Sequence, residues 1–257
     1  MKFYRLFLAL SVAVFSFISC GNNNDDDIDN GGGTTTEANE NCNVFTVGKP
    51  AEVTRLEFPK LQGGTSEVIV HSTSDFGMTY ALEWDHAKKS QRWSCYEITS
   101  ANNKKGWNRR NWNKTTWGGD PFQKDPKIPA NEQPPVKGEF SGSHYLGYSN
   151  SYYDRGHICA SEDRIYSKDA NEQTFYMSNM QPQVHVFNAG IWQKMEACIQ
   201  SNAYRGEVVY VCKGGTIDKD SQILTHTQSG FIVPRYFFMA VLVMVSMRVW
   251  MLVMRSV

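Results

Sequence analysis

Residues 153–164 read Tyr-Asp-Arg-Gly-His-Ile-Cys-Ala-Ser-Glu-Asp-Arg, and residues 178–196 read Ser-Asn-Met-Gln-Pro-Gln-Val-His-Val-Phe-Asn-Ala-Gly-Ile-Trp-Gln-Lys-Met-Glu. The first stretch places a carboxylate, a guanidinium, a glycine and an imidazole at Asp154, Arg155, Gly156 and His157. An imidazole, with an ordinary pKa of about 6.5, takes and returns a proton near neutrality. A guanidinium matches phosphate oxygens through its planar fork of donors. A base two residues from a phosphate clamp suits chemistry on a phosphate ester. Alone, a tetrapeptide of this kind reads equally well as a turn with a solvated charge pair.

With the second stretch added, the chain resembles the DNA/RNA non-specific endonuclease family, the ββα-metal nucleases. The match consists of Asp154, Arg155, Gly156 and His157, then Ser178, Asn179, Met180, Pro182 and Gln183, then Asn188, Gly190, Trp192 and Glu196. It covers about residues 80–238 and is strongest over 153–196. The resemblance implies an α+β fold, with a central antiparallel sheet and a ββα-metal catalytic motif flanked by helices and long loops. It implies His157 as the general base that activates water, and Arg155 as the group that steadies the phosphate. Asn188 is expected to hold a largely hydrated Mg2+, with Mn2+ as a substitute; an amide oxygen is a hard neutral donor suited to such an ion. Glu196, two helical turns on, would orient a metal-bound water. Asn179 maps onto a family active-site asparagine. Arg110, or Arg109 beside it, is expected to contact substrate phosphate ahead of the Asp120–Pro126 segment. One departure is Ala160, where the family usually has a proline.

Further out, Lys2 and Arg5 precede an apolar stretch from Leu6 to Ile18 and the sequence Ser19-Cys20-Gly21. This pattern resembles a bacterial lipoprotein signal over residues 1–20, with Cys20 as the lipidated residue. Residues 21–50 are acidic and rich in Gly and Thr, and read as a flexible tether. Residues 51–257 then form a single domain, long enough for a substantial core. The chain has 26 basic and 26 acidic residues, three and six of them before residue 51. The domain therefore carries 23 basic and 20 acidic groups. A global basic field for nucleic acid is excluded, and phosphate affinity must come from a local cluster.

Alternating runs at 67–71, 78–84 and 207–212 predict strands, the last closed by Gly214-Gly215. Residues 188–203 predict a helix, with Ile191, Met195 and Ile199 on one face. Residues 100–150 read as surface loops, in which Trp107, Trp112 and Trp117 interleave with Lys104, Lys105, Arg109, Arg110 and Lys114. That mix suits sequence-tolerant stacking on nucleic acid, or a small core within the loop itself. His144, His185 and His226 are expected at surface or satisfied positions. The six cysteines include no C-x-x-C, which disfavours a thiolate zinc site. A Cys159–His157 nucleophile pair is disfavoured, because residues this close along a strand rarely take the geometry it needs.

The end of the chain, 237–254, is apolar and holds five of the ten methionines. Three readings stand: a membrane segment, which Arg248 disfavours; a buried strand and helix; or an altered reading frame, which is favoured because the expected further strand is not recognisable. The expectation for the whole is an exported nuclease, lipid-anchored at a bacterial outer membrane or cell surface, or periplasmic. It would act on DNA and RNA without an obligate protein partner. The alternative is a catalytically inactive surface lipoprotein that binds nucleic acid or a protein.

Overall fold

A computed structural model describes residues 43–108, 120–136, 153–203, 208–243 and 248–256. Cys20, the 1–20 signal, Arg109, Arg110, Trp112, Lys114, Trp117 and His144 lie outside them. Three strands follow one another in the first part: β1 (Ser66–Thr73), β2 (Gly77–Asp85) and β3 (Ser90–Ile98). Much later come β6 (Val209–Gly215), β9 (Tyr236–Val243) and β10 (Arg248–Arg255). These six make one antiparallel sheet in the order β1-β2-β3-β6-β9-β10. Two short antiparallel pairs lie apart from it: β4 (Asp154–His157) with β5 (Met180–Gln183), and β7 (Ile223–His226) with β8 (Ile232–Pro234).

The sheet is covered on both sides, which is why β2 is buried from Thr79 to Asp85. Side chains alternate across a strand, so Tyr80, Leu82 and Trp84 face one layer with Tyr96, Val211, Phe237 and Met239. Ala81, Trp93, Cys95 and Cys212 face the other, with Val53 and Phe58 from the segment before β1. Asn43 fastens that segment: its amide donates to the carbonyls of Val53 (3.1 Å) and Pro59 (2.8 Å) and accepts from Leu61 N (3.1 Å). The packed structure therefore takes in residues ahead of 51, within the stretch read as tether.

One expectation from the sequence holds and one changes. Gly214 and Gly215 are the last two residues of β6, paired with Phe238 and Phe237 of β9. A Cβ at Gly214 would sit 2.4 Å from the Arg92 carbonyl oxygen, so the glycine permits close packing of neighbouring strands. The apolar end forms strands: β9 pairs with β6 on one side and β10 on the other, and buries Phe237, Met239, Val241 and Val243 at alternate positions. It therefore contains neither a membrane helix nor a strand followed by a helix over 236–243 and 248–255. Among the described residues no helix is long and apolar enough to cross a membrane.

On the layer that faces Tyr80 and Phe237 lie helix α1 (Lys168–Gln173), a helical turn (His185–Phe187), a π turn (Asn188–Trp192) and helix α2 (Gln193–Ala203). Gly190 leaves helical geometry (φ −104°, ψ −105°) within the π turn. The extra residue of the turn rotates the helix face. Ile191, expected on the apolar face, is exposed, while Trp192 takes the buried place with Ile199. Trp192 packs against Phe187 and Phe237, at 5.7 and 5.6 Å between ring centres, and this roots the turn on β9.

Candidate active site

Strand β4 carries the Asp-Arg-Gly-His sequence, and its register with β5 sets Asp154 against Gln183 and His157 against Met180. Gly156 is needed for that pairing, because a Cβ there would lie 2.3 Å from Cδ of the fully buried Gln183. Alternation along the strand sends Arg155 and His157 to the same side. The helical end is tied to the strand by Trp192, whose indole Nε1 donates to the His157 carbonyl at 3.1 Å. The imidazole itself is half-buried, edge-on to Phe175 (5.1 Å, 88°) and beside Phe122 (5.6 Å).

Asp154, Arg155, His157, His185, Asn188 and Glu196 together line one cavity of about 630 Å³. Asp154 joins strand to helix: its Oδ2 accepts from His185 Nδ1 at 2.8 Å and from Asn188 Nδ2 at 2.9 Å. With the Asn188 amide nitrogen committed to Asp154, the amide oxygen is the atom that could hold a cation. Arg155 pairs with Asp120 rather than with Asp154: Nη1 reaches Oδ2 at 3.0 Å and the Val136 carbonyl at 3.0 Å. Its Cζ stacks 3.5 Å above the Phe122 ring, so the guanidinium plane is held from two sides. Glu196 is two turns beyond Asn188, and its Oε1 is 2.9 Å from Nζ of Lys213 on β6.

Among the described residues no three His, Cys, Asp or Glu side chains gather as a metal cluster. The donor set fits a hard divalent ion that keeps most of its water, with one amide oxygen and nearby carboxylates. It does not fit a soft or fully protein-coordinated ion.

Asn179 is a correction. It is fully buried and does not line the cavity. Its Oδ1 accepts from Cys159 N at 2.8 Å, and its Nδ2 donates to the carbonyls of Cys159 (2.9 Å) and Thr174 (2.8 Å). A short polar side chain with every donor and acceptor used is a clasp on the turn after His157, not a substrate group. Ala160, in that turn, keeps φ −65°, the value a proline would impose. Burial first of all pushes the Cys159 thiol up to about 12, so it is no nucleophile near neutral pH.

Sequence reasoning missed three groups. His185 is satisfied, as expected, by its bond to Asp154, but it also lines the cavity. Asp120 and Lys213 carried no local signal, because their partners lie 35 and 17 residues away. His226 is exposed, as expected.

The curated relatives are consistent with this arrangement. Nuclease C1 of Cunninghamella echinulata var. echinulata is 28% identical over 173 residues, covering 64% of this chain and 63% of the relative. Mitochondrial nuclease EXOG of Xenopus laevis is 30% identical over 139 residues, 53% of this chain and 34% of the relative. Mitochondrial endonuclease G of Homo sapiens is 39% identical over 67 residues, 26% of this chain and 23% of the relative. The chain thus spans less than two thirds of the length of each. Among solved structures, one described as the EndoG/EndoGI complex, on the mechanism of EndoG inhibition, superposes with a TM-score of 0.53. It is 23% identical and covers 73% of this chain and 74% of that one, a likeness of fold. The DNA/RNA non-specific endonuclease family matches residues 65–253, which include all of the sheet but the last two residues of β10, both halves of the site and most of the apolar end, and the chain belongs to that family.

Proposed function

We propose that the chain is a divalent-metal-dependent endonuclease that hydrolyses phosphodiester bonds in both DNA and RNA. The observation that carries this reading is the meeting of Arg155, His157, Asn188 and Glu196 around one cavity. His157 accepts the proton of the attacking water through its imidazole, which the Trp192 bond to its carbonyl and the flanking Phe175 hold in place. Arg155, locked by Asp120 and Phe122, offers its remaining guanidinium donors to the phosphate. Asn188 Oδ1 would hold Mg2+, for which Mn2+ can substitute, and the bound ion would supply charge stabilisation at the phosphate and the leaving oxygen. Glu196 would orient the ion's water. Arg110 or Arg109 would add a phosphate contact. Such contacts position a substrate without reading bases, so cleavage would be indifferent to sequence and sugar.

The same proposal includes export, a lipid anchor at Cys20 and residence at a bacterial outer membrane, cell surface or periplasm. A dead lipoprotein that merely binds nucleic acid is the weaker reading, because His157, Asn188 and Glu196 are all retained and line the same cavity.

Plasmid DNA and a structured RNA, incubated with and without EDTA, test the reading. Both should be cut at many positions, and chelation should abolish cutting. His157→Ala should lower turnover by about 10² to 10⁴ with an unchanged melting profile. Near-normal turnover in that variant, or full activity after exhaustive chelation, would sink the mechanism. Fractionating cells that express the Cys20→Ala chain tests the anchor, which predicts loss from the membrane fraction.

A further inference from the structure

Lys213 is fully buried in the middle of the sheet, opposite Ser94 of β3 and Met239 of β9. Its ammonium lies 5.4 Å from the ring centre of Trp192, which lines the cavity, and 5.6 Å from that of Tyr96. A buried ammonium is costly unless it is paired, and its partner is Glu196, a cavity-lining residue, at 2.9 Å. The next turn of α2 supplies no charge to that glutamate: Gln200 is neutral and donates to Asp163 Oδ1 at 2.9 Å. Asp163 in turn accepts from the Tyr96 hydroxyl at 2.5 Å, so this neighbouring carboxylate is also engaged.

A carboxylate beside a hydrated divalent ion has two options. It can displace a water and bind directly, or it can stay outside and hydrogen-bond to the ion's water. A fixed cation already paired with it biases it towards the second. We propose that Lys213 is a positioning residue, which holds Glu196 back from the metal so that the carboxylate acts on metal-bound water. The proposal rests on the reading of this cavity as a metal-dependent nuclease site.

The test uses the wild-type chain, Lys213→Met, Glu196→Gln and the double variant. Each is checked for folding by thermal melting, titrated with Mn2+ by electron paramagnetic resonance, and assayed for single-turnover cleavage of plasmid DNA. Removal of a neighbouring positive charge should tighten Mn2+ binding in Lys213→Met by roughly three- to tenfold. Cleavage should nevertheless slow by about tenfold, because the carboxylate is misplaced. In the Glu196→Gln background, Lys213→Met should add no further loss, as expected for residues acting as a unit. A packing role alone gives the opposite pattern, with unchanged or weaker Mn2+ binding and additive losses, and that result overturns the proposal. Lys213→Gln, neutral but polar, gives the same comparison if the methionine variant does not fold. A wild-type chain that binds no Mn2+ overturns the reading of the site itself. A wild-type chain that binds Mn2+ and cleaves DNA, while Lys213→Met binds no tighter, overturns the Lys213 proposal alone.

Discussion

At the scale of single residues, the candidate site depends on which atoms are already engaged. Asn179 and Asn188 are both motif asparagines, but the first spends its amide on the backbone of Cys159 and Thr174. The second gives only its nitrogen to Asp154 and stays at the cavity. Nothing in the residue type separates them; the separation comes from burial. His185 is the converse case, a histidine outside the motif that lines the cavity beside Asp154. His185→Ala removes one of the two donors that fix the Asp154 carboxylate, and so loosens the support of Asn188. A fall in kcat/KM of about tenfold is expected, well short of that for His157→Ala. Steady-state cleavage of a fluorescent DNA substrate measures it, and wild-type kinetics would make His185 a bystander.

At the scale of elements, the site is a strand and a helical turn held together by a few bonds. The clearest is the indole of Trp192 on the carbonyl of His157. Trp192 is also nearly fully buried against Phe187 and Phe237, so one side chain sets both the helix on the sheet and His157 on its strand. Trp192→Phe keeps much of the packing and removes the donor. It should cost about 1 kcal/mol of stability, the usual value of one hydrogen bond. The rate should fall by about ten- to a hundredfold, because a catalytic group displaced by even an ångström loses that much. Melting curves and single-turnover rates compared on the same variant check both parts, and a stability loss without a rate loss would count against the coupling. The periodicity of residues 188–203 was legible as a helix, yet its face was misread at Ile191, since an apolar repeat assumes an unbroken turn and the π turn inserts a residue.

At the scale of the molecule, a buried carboxylate connects segments that are distant in sequence. Asp125 accepts from His71 Nε2 at 2.9 Å and from the Ser178 hydroxyl at 2.5 Å, joining β1 to the turn that carries Asn179. Burial works to raise the Asp125 pKa, but these donors outweigh it and hold the carboxyl below its ordinary value. A carboxyl depressed on folding contributes stability at pH values above its unfolded pKa of about 3.9, and that contribution is lost as pH falls through the lower folded value. The melting temperature should therefore drop as pH falls from about 5 to 3, and Asp125→Asn should melt lower at pH 7 but show a shallower drop. Parallel slopes for the two proteins would remove Asp125 from the acid response. By itself the sequence determined the candidate site and the class of fold, because those are written in local groups: Asp154–His157, Asn188 and Glu196, and alternating runs such as 78–84. Only the tertiary structure decided that residues 236–243 and 248–255 complete the sheet, that Asn179 is a clasp, and that Lys213 pairs with Glu196. An apolar run looks the same whether it enters a membrane or a sheet, and an ion pair across 17 residues has no local spacing to mark it. Those features are settled by which surfaces exclude water together, and that is a property of the packed chain.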